Sequence, residues 1–237
     1  MDEAARTAPT HDDLVRATGV VKRYHTEAED LRVLDGLDVT IRAGEFLAIT
    51  GRSGSGKTTL LNCLSGLDDI DEGSIEFNGI DFAQADDAQR TAQRSEMMSF
   101  VFQASDLLPV FTALDNAAMP MVLAGVPTRE ARERATAALD RVGLSGRMDH
   151  YPHQLSGGEQ QRVAIARAFA KQPAIVWADE PTGNLDVHTA RSMIELLREL
   201  HGDGVTLVLV THDLELADLA DRHLEVLDGR LATETLA

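Results

Sequence analysis

Gly51-Arg52-Ser53-Gly54-Ser55-Gly56-Lys57-Thr58 is the stretch that decides the fold. A glycine, four residues, then Gly-Lys-Thr is the spacing of a phosphate-binding loop. The apolar run Phe46-Leu47-Ala48-Ile49 precedes it and reads as a strand, and Thr58-Thr59-Leu60-Leu61-Asn62 follows and reads as a helix. That strand–loop–helix order is the context the pattern requires. Glycines let backbone N–H groups close around an anion where a side chain would block the approach. The N-terminus of the following helix adds partial positive charge. Lys57 supplies a mobile full charge for the β- and γ-phosphates, and Thr58 a hydroxyl for Mg²⁺, an ion that keeps several of its waters. Residues 51–59 are the expected phosphate site.

Working outward, residues 99–103, 174–178 and 205–210 are near-continuous apolar runs, as in parallel strands buried on both faces. Helical patterns at 58–65, 160–170, 188–200 and 214–220 alternate with them, which predicts an α/β core. Before the loop, 15–49 holds short apolar runs such as Val20-Val21 and 37–41, read as strands. Asn78-Gly79 between 74–77 and 80–82 signals a two-residue hairpin, because both turn positions need positive φ. Residues 113–150 read as mostly helical, with Thr128 the expected N-cap before Ala131, Ala135, Ala138, Leu139 and Val142. Residues 1–13 read as a flexible acidic tail.

With 39 acidic against 22 basic residues the net charge is -17, which argues against a nucleic-acid partner. Cys63 is the only cysteine, so no intrachain disulfide and no Cys-rich zinc site is available, and a reduced setting is expected. No run of about 18 apolar residues occurs that would cross a membrane.

Ile175-Val176-Trp177-Ala178-Asp179-Glu180 is an apolar strand ending in two carboxylates, at the strand edge where ligands of open α/β sheets bind. Asp179 is placed to hold Mg²⁺ through water, and Glu180 to orient and polarise an attacking water. Gln103 follows the strand at 99–102, where a neutral amide can contact Mg²⁺ and water. His212 follows the strand ending at Val210, within reach of a γ-phosphate. Leu155-Ser156-Gly157-Gly158-Glu159-Gln160-Gln161-Arg162 is a helix start, with Ser156 and Glu159 at capping-box spacing. Two glycines in a first turn oppose local helix stability. A second anion cradle accounts for them, and two cradles with one loop suggest two chains sandwiching a nucleotide.

The ordered set 51–58, Gln103, 155–159, 175–180, Asn184-Leu185-Asp186 and Thr211-His212-Asp213 resembles an ABC-transporter ATPase, over about residues 15–231. The resemblance implies a P-loop core with a mostly parallel sheet, an N-terminal antiparallel β-subdomain and an inserted helical subdomain. Residues 14–237 would then be one ATPase domain, with 14–103 and 161–237 as the ATP-binding core and 104–160 as the helical part. It implies ATP and Mg²⁺ as ligands, and an ATP-dependent head-to-tail dimer that closes 51–58 of one copy on Ser156, Gly157 and Gly158 of the other. The chain alone would then be mainly monomeric without nucleotide. Glu180 would be catalytic base, Gln103 the Mg²⁺ and coupling residue, His212 the γ-phosphate sensor and Tyr24 the adenine-stacking aromatic. Leu155, Glu159 and Asp186 would join the nucleotide contacts, and Lys57 both binding and catalysis. The partner would be an integral membrane permease, which holds the chain on the cytoplasmic face of the cell membrane.

Phe100-Val101-Phe102-Gln103, Leu107-Leu108-Pro109 and Leu114-Asp115-Asn116 resemble ATPases of the lipoprotein-release, macrolide-export and cell-division type. Cargo would be a lipoprotein, an antimicrobial or a peptide, or the motor would pull on a cell-division complex without transport. A soluble ABC protein of repair or translation would carry coiled-coil, zinc or second-cassette insertions, which are missing. A GTPase would carry Asn-Lys-x-Asp, also missing, and a kinase would leave 155–159 unexplained.

Overall fold

The computed structural model describes residues 13–25 and 30–236. In chain order it contains β1 (Asp13–His25), β2 (Asp30–Arg42), β3 (Phe46–Thr50), α1 (Lys57–Leu64), β4 (Glu72–Phe77), β5 (Ile80–Asp81), α2 (Asp87–Met97) and β6 (Met98–Phe102). Then follow α3 (Ala113–Leu123), α4 (Thr128–Arg141), α5 (Gly157–Ala170), β7 (Ile175–Asp179) and α6 (Val187–His201). The chain ends with β8 (Thr206–Val210), α7 (Leu214–Ala217), β9 (Arg222–Leu227) and β10 (Arg230–Leu236). The tail expected at 1–13 lies outside the described residues, except that Asp13 opens β1.

Two sheets form. The antiparallel one runs β2-β1-β4-β5, and the other runs β10-β9-β3-β8-β7-β6. In the second, β9, β3, β8, β7 and β6 are mutually parallel and only β10 is antiparallel, so the expected mostly parallel sheet is present. Its strands carry apolar side chains on both faces. Phe46, Ala48, Val176, Ala178, Leu207 and Leu209 pack on one side with α3 to α6. Leu47, Ile49, Ile175, Trp177, Val208 and Val210 pack on the other with α1 and the antiparallel sheet. A period of two along a doubly covered strand produces this division. The single thiol of Cys63 is enclosed in the second core, and burial pushes its pKa up to about 12.

The hairpin turn is as read: Asn78 and Gly79 have φ of 47° and 78°. Thr128 is not a cap. It is the first residue of α4, and Pro127 holds the cap position without a side-chain hydrogen bond, its ring fixing φ at -53°. Three elements, α2, β9 and β10, were not read from the sequence. Helix α2 buries none of its residues, so no apolar period marks it, although Asp86 and Gln89 close a capping box at its start. The β9–β10 hairpin turns at Asp228-Gly229, whose φ values are 48° and 75°. Helix α5 spans the boundary drawn at 160 and 161, and packs on α3 and α4 as well as β6.

Candidate active site

The parallel strands deliver the site residues at one end of the sheet. Strand β3 ends at Thr50 and runs into the loop, and β7 ends at Asp179. Gln103 follows β6, and His212 lies two residues beyond β8. The strand order β3-β8-β7-β6 makes these ends neighbours.

Gly56, at φ 102°, turns the loop into α1. A Cβ on Gly51 would stand 2.2 Å from the Val226 carbonyl oxygen, so only glycine fits there. Lys57 Nζ arches back over the loop and donates to the carbonyls of Gly51 (2.9 Å) and Arg52 (3.0 Å). Ser55 Oγ is buried in the cradle without a hydrogen-bond partner. The loop's N–H groups and the Lys57 ammonium, rather than this enclosed hydroxyl, are the donors offered to a ligand. A phosphate with its cation fits that donor set.

Thr58 Oγ1 donates to Asp179 Oδ1 at 3.1 Å. Burial raises the Asp179 pKa above the ordinary carboxylate value, the Thr58 hydrogen bond opposes this, and the Glu180 charge adds to it. An anion kept in a place that disfavours its charge is suited to a cation. Glu180 has φ 47°, a left-handed conformation that costs a non-glycine residue energy and is common at functional positions. Its N–H donates to the Val210 carbonyl at 2.9 Å, which locks it to the end of β8. His212 Nδ1 lies 2.9 and 3.0 Å from the two Glu180 oxygens. Gln103 Nε2 donates to Asn184 Oδ1 at 3.2 Å, and the position of a Gly183 Cβ would be 2.8 Å from that nitrogen.

Lys57, Thr58, Gln103, Glu180, Gly183 and His212 line one cleft of about 760 Å³, whereas Gly51, Arg52, Ser55 and Asp179 do not, and Asp179 is joined to it through Thr58. Tyr24, Leu31 and Val33 wall one end. Ser53, Gly54, Gly56, Lys57, Thr58 and Thr59 form the floor, and Gln103, Glu180, Gly183 and His212 the other end. Leu31 and Val33 were not singled out from sequence, though their spacing of two along β2 puts them on one face. A second cavity of about 430 Å³ lies between α4, α5 and the start of β8 and holds none of the motif residues.

Leu155, Ser156, Gly157, Gly158, Glu159 and Asp186 do not line the cleft. Ser156 and Glu159 form the expected capping box of α5. The Ser156 N–H, then its hydroxyl, then Arg147 at 3.0 Å hold the Glu159 carboxyl below its usual pKa. Ser156 and Gly157 are exposed, and a Cβ on Gly157 would meet nothing of this chain. Asp186 caps α6 by accepting from the His188 and Thr189 N–H groups, both at 3.1 Å.

A family model described as ABC transporter matches residues 34–183, which take in the loop, Gln103, Ser156 to Gly158 and both carboxylates. The chain belongs to the ABC transporter family. The cassette is 49% identical over 211 residues to the lipoprotein-releasing system ATP-binding protein LolD of Pseudomonas syringae pv. tomato, covering 89% of this chain and 93% of that protein. It is 47% identical over 224 residues to the macrolide export ATP-binding/permease protein MacB of Rhodopirellula baltica. That match covers 93% of the cassette and only 33% of MacB, so the cassette spans about a third of that relative's length. Among solved structures, the dimeric post-hydrolysis state of the ATP-binding cassette MJ0796 bound to ADP and Pi superposes with a TM-score of 0.85. It shares 38% identity and covers 94% of this chain and 98% of that one. The cassette is an ATP-binding, ATP-hydrolysing module of the LolD and MacB type.

Proposed function

We propose that the cassette works as an ATP-sandwich homodimer that drives a separate membrane permease of the lipoprotein-release or macrolide-export kind. One observation carries the dimer. Gly157 needs neither a positive φ nor extra room within its own chain, yet it sits bare and exposed beside Ser156 at a helix N-terminus. A surface outside the chain is what requires that glycine, and the phosphate cradle of a second copy has the complementary chemistry.

Within each site Lys57 leaves its two carbonyl partners to hold the terminal phosphates. Thr58, Asp179 and Gln103 would hold Mg²⁺, which when bound neutralises phosphate charge and polarises the transferring group. Glu180, fixed by its backbone bond to β8, accepts a proton from the attacking water as general base. His212, beside that carboxylate, donates toward the γ-phosphate once ATP separates the pair. Tyr24, Leu31 and Val33 receive the adenine. Asp186 and Glu159 hold the first turns of α6 and α5 in shape at the dimer face. Residues 14–103 and 161–237 act as the ATP-binding core, and 104–160 as the helical part that carries movement to the permease.

No helix among the described residues is long and apolar enough to cross a membrane. In this reading the cassette sits on the cytoplasmic face by holding its permease, and its cargo is a lipoprotein, an antimicrobial or a peptide. The test is a pull-down from detergent-solubilised membranes with tagged Glu180→Gln, ATP and Mg²⁺. Recovery of a permease with few transmembrane helices and a large outer domain is expected. A trapped dimer that brings down no membrane protein refutes the transporter assignment.

A further inference from the structure

The ring of Tyr24 is held at its tip and over one face. Its hydroxyl donates to Asp68 Oδ2 at 2.7 Å. The other oxygen of that carboxylate, Oδ1, accepts from Lys22 Nζ at 2.6 Å, and the same ammonium donates to the Asp69 carbonyl at 2.7 Å. Lys22 Nζ stands over the Tyr24 ring, 5.1 Å from its centroid. Lys22 is 9% exposed whereas Tyr24 is 38% exposed. Tyr24 lines the cleft and Lys22 does not, so the cation covers one ring face and leaves the other to the cleft.

A single aromatic ring at the end of a long strand would ordinarily swing about two side-chain torsions. This one has a fixed carboxylate at its tip, and that carboxylate is fixed by a buried ammonium. We propose that Lys22 and Asp68 are positioning residues for the nucleobase: they lock the Tyr24 ring at a set height and tilt relative to the phosphate loop, so that base stacking is prepaid. The proposal rests on the reading of the cleft as an ATP site and adds to it a source of base affinity. The cation on the covered face also draws electron density from the ring, which favours an electron-rich purine on the open face.

The physics separates the base from the phosphates. Ordering a side chain on binding costs about 0.5–1.5 kcal/mol, so releasing the brace weakens ATP binding by about twofold to twelvefold. Loss of the ring removes base stacking outright and weakens it further. Neither change touches the groups that hold phosphate.

The experiment measures affinity for ATP and for inorganic tripolyphosphate, both with Mg²⁺, by calorimetry on wild type, Tyr24→Phe, Lys22→Met, Asp68→Ala and Tyr24→Ala. Tyr24→Phe keeps the ring and removes only the bond to Asp68, so it reports on the brace even if Asp68→Ala fails to fold. Expected is weaker ATP binding in Tyr24→Phe and Lys22→Met with tripolyphosphate affinity unchanged, and the largest loss in Tyr24→Ala. The proposal is overturned if Tyr24→Phe and Lys22→Met bind ATP as wild type does, or lose ATP and tripolyphosphate affinity equally. A wild-type cassette that binds neither ligand overturns the ATP reading and the proposal together. One that binds both, with Tyr24→Ala unaffected, overturns the proposal alone.

Discussion

Replacing Asn116 by alanine should loosen the connection between Gln103 and α3, at a cost the structure allows to be worked out. Asn116 is 1% exposed. Its Nδ2 donates to the carbonyls of Leu108 (3.1 Å), Phe111 (3.1 Å) and Thr112 (3.0 Å), and its Oδ1 accepts from the Leu108 N–H at 2.7 Å. Truncation does not orphan all four groups. The Leu108 carbonyl still accepts from the Phe111 N–H at 3.1 Å, and the Thr112 carbonyl from the Asn116 N–H at 2.9 Å. The Leu108 N–H and the Phe111 carbonyl lose the partner. An unsatisfied buried group costs 1–3 kcal/mol, and water reaches exposed Leu108 in part, so Asn116→Ala should destabilise by about 2–4 kcal/mol. Urea denaturation reads this as a lower midpoint with an unchanged slope. A loss below about 0.5 kcal/mol would refute the reasoning, since that is the scatter of ordinary surface changes. Residues 103–112 link a cleft residue to the helical part. The variant should therefore keep ATP affinity in isolation and lose stimulation by the permease.

Three further outcomes are expected. Gly51→Ala places a methyl 2.2 Å from the Val226 carbonyl, so the loop must shift and ATP binding should disappear; wild-type affinity in equilibrium dialysis would contradict the cradle. Arg222→Met strands Glu45, 9% exposed and held at 2.5 and 3.2 Å by that guanidinium, and should cost about 3–5 kcal/mol in urea, because a buried charge loses its partner. A cost near zero would show that water reaches the pair. The raised pKa of Asp179 means that its contribution to stability is complete below the ordinary carboxylate range and is lost as pH rises through the raised value. Without nucleotide, Asp179→Asn should therefore gain on wild type as pH rises above about 4, and the opposite trend in urea midpoints would refute the desolvation argument.

The phosphate cradle was legible because its chemistry is local: a strand, a glycine loop and a helix start are contiguous, and each residue type has one physical reason to be there. The carboxylates of β7, Gln103 and His212 were legible because strand ends in a parallel sheet converge, whatever their separation in sequence. Thr128 misled because its hydroxyl suits a cap, while Pro127 before it already fixes the backbone that a cap requires. Helix α2 was missed because none of its residues is fully buried and only Met97 at its end packs on the core, so capping marks it in the sequence more clearly than any apolar run. Leu31 and Val33 were missed for a different reason. Their role comes from the approach of the antiparallel sheet to the loop, a tertiary fact that alternation along β2 does not contain.

The central claim is that ATP joins two cassettes, and it is tested most directly by the mass of Glu180→Gln in solution, by light scattering on a sizing column. With ATP and Mg²⁺ the account predicts a species of about twice the 25.7 kDa chain, returning to the single-chain mass when nucleotide is removed or when Ser156→Arg blocks the second cradle. A mass of one chain at saturating ATP, or a dimer indifferent to nucleotide and to Ser156→Arg, would contradict it.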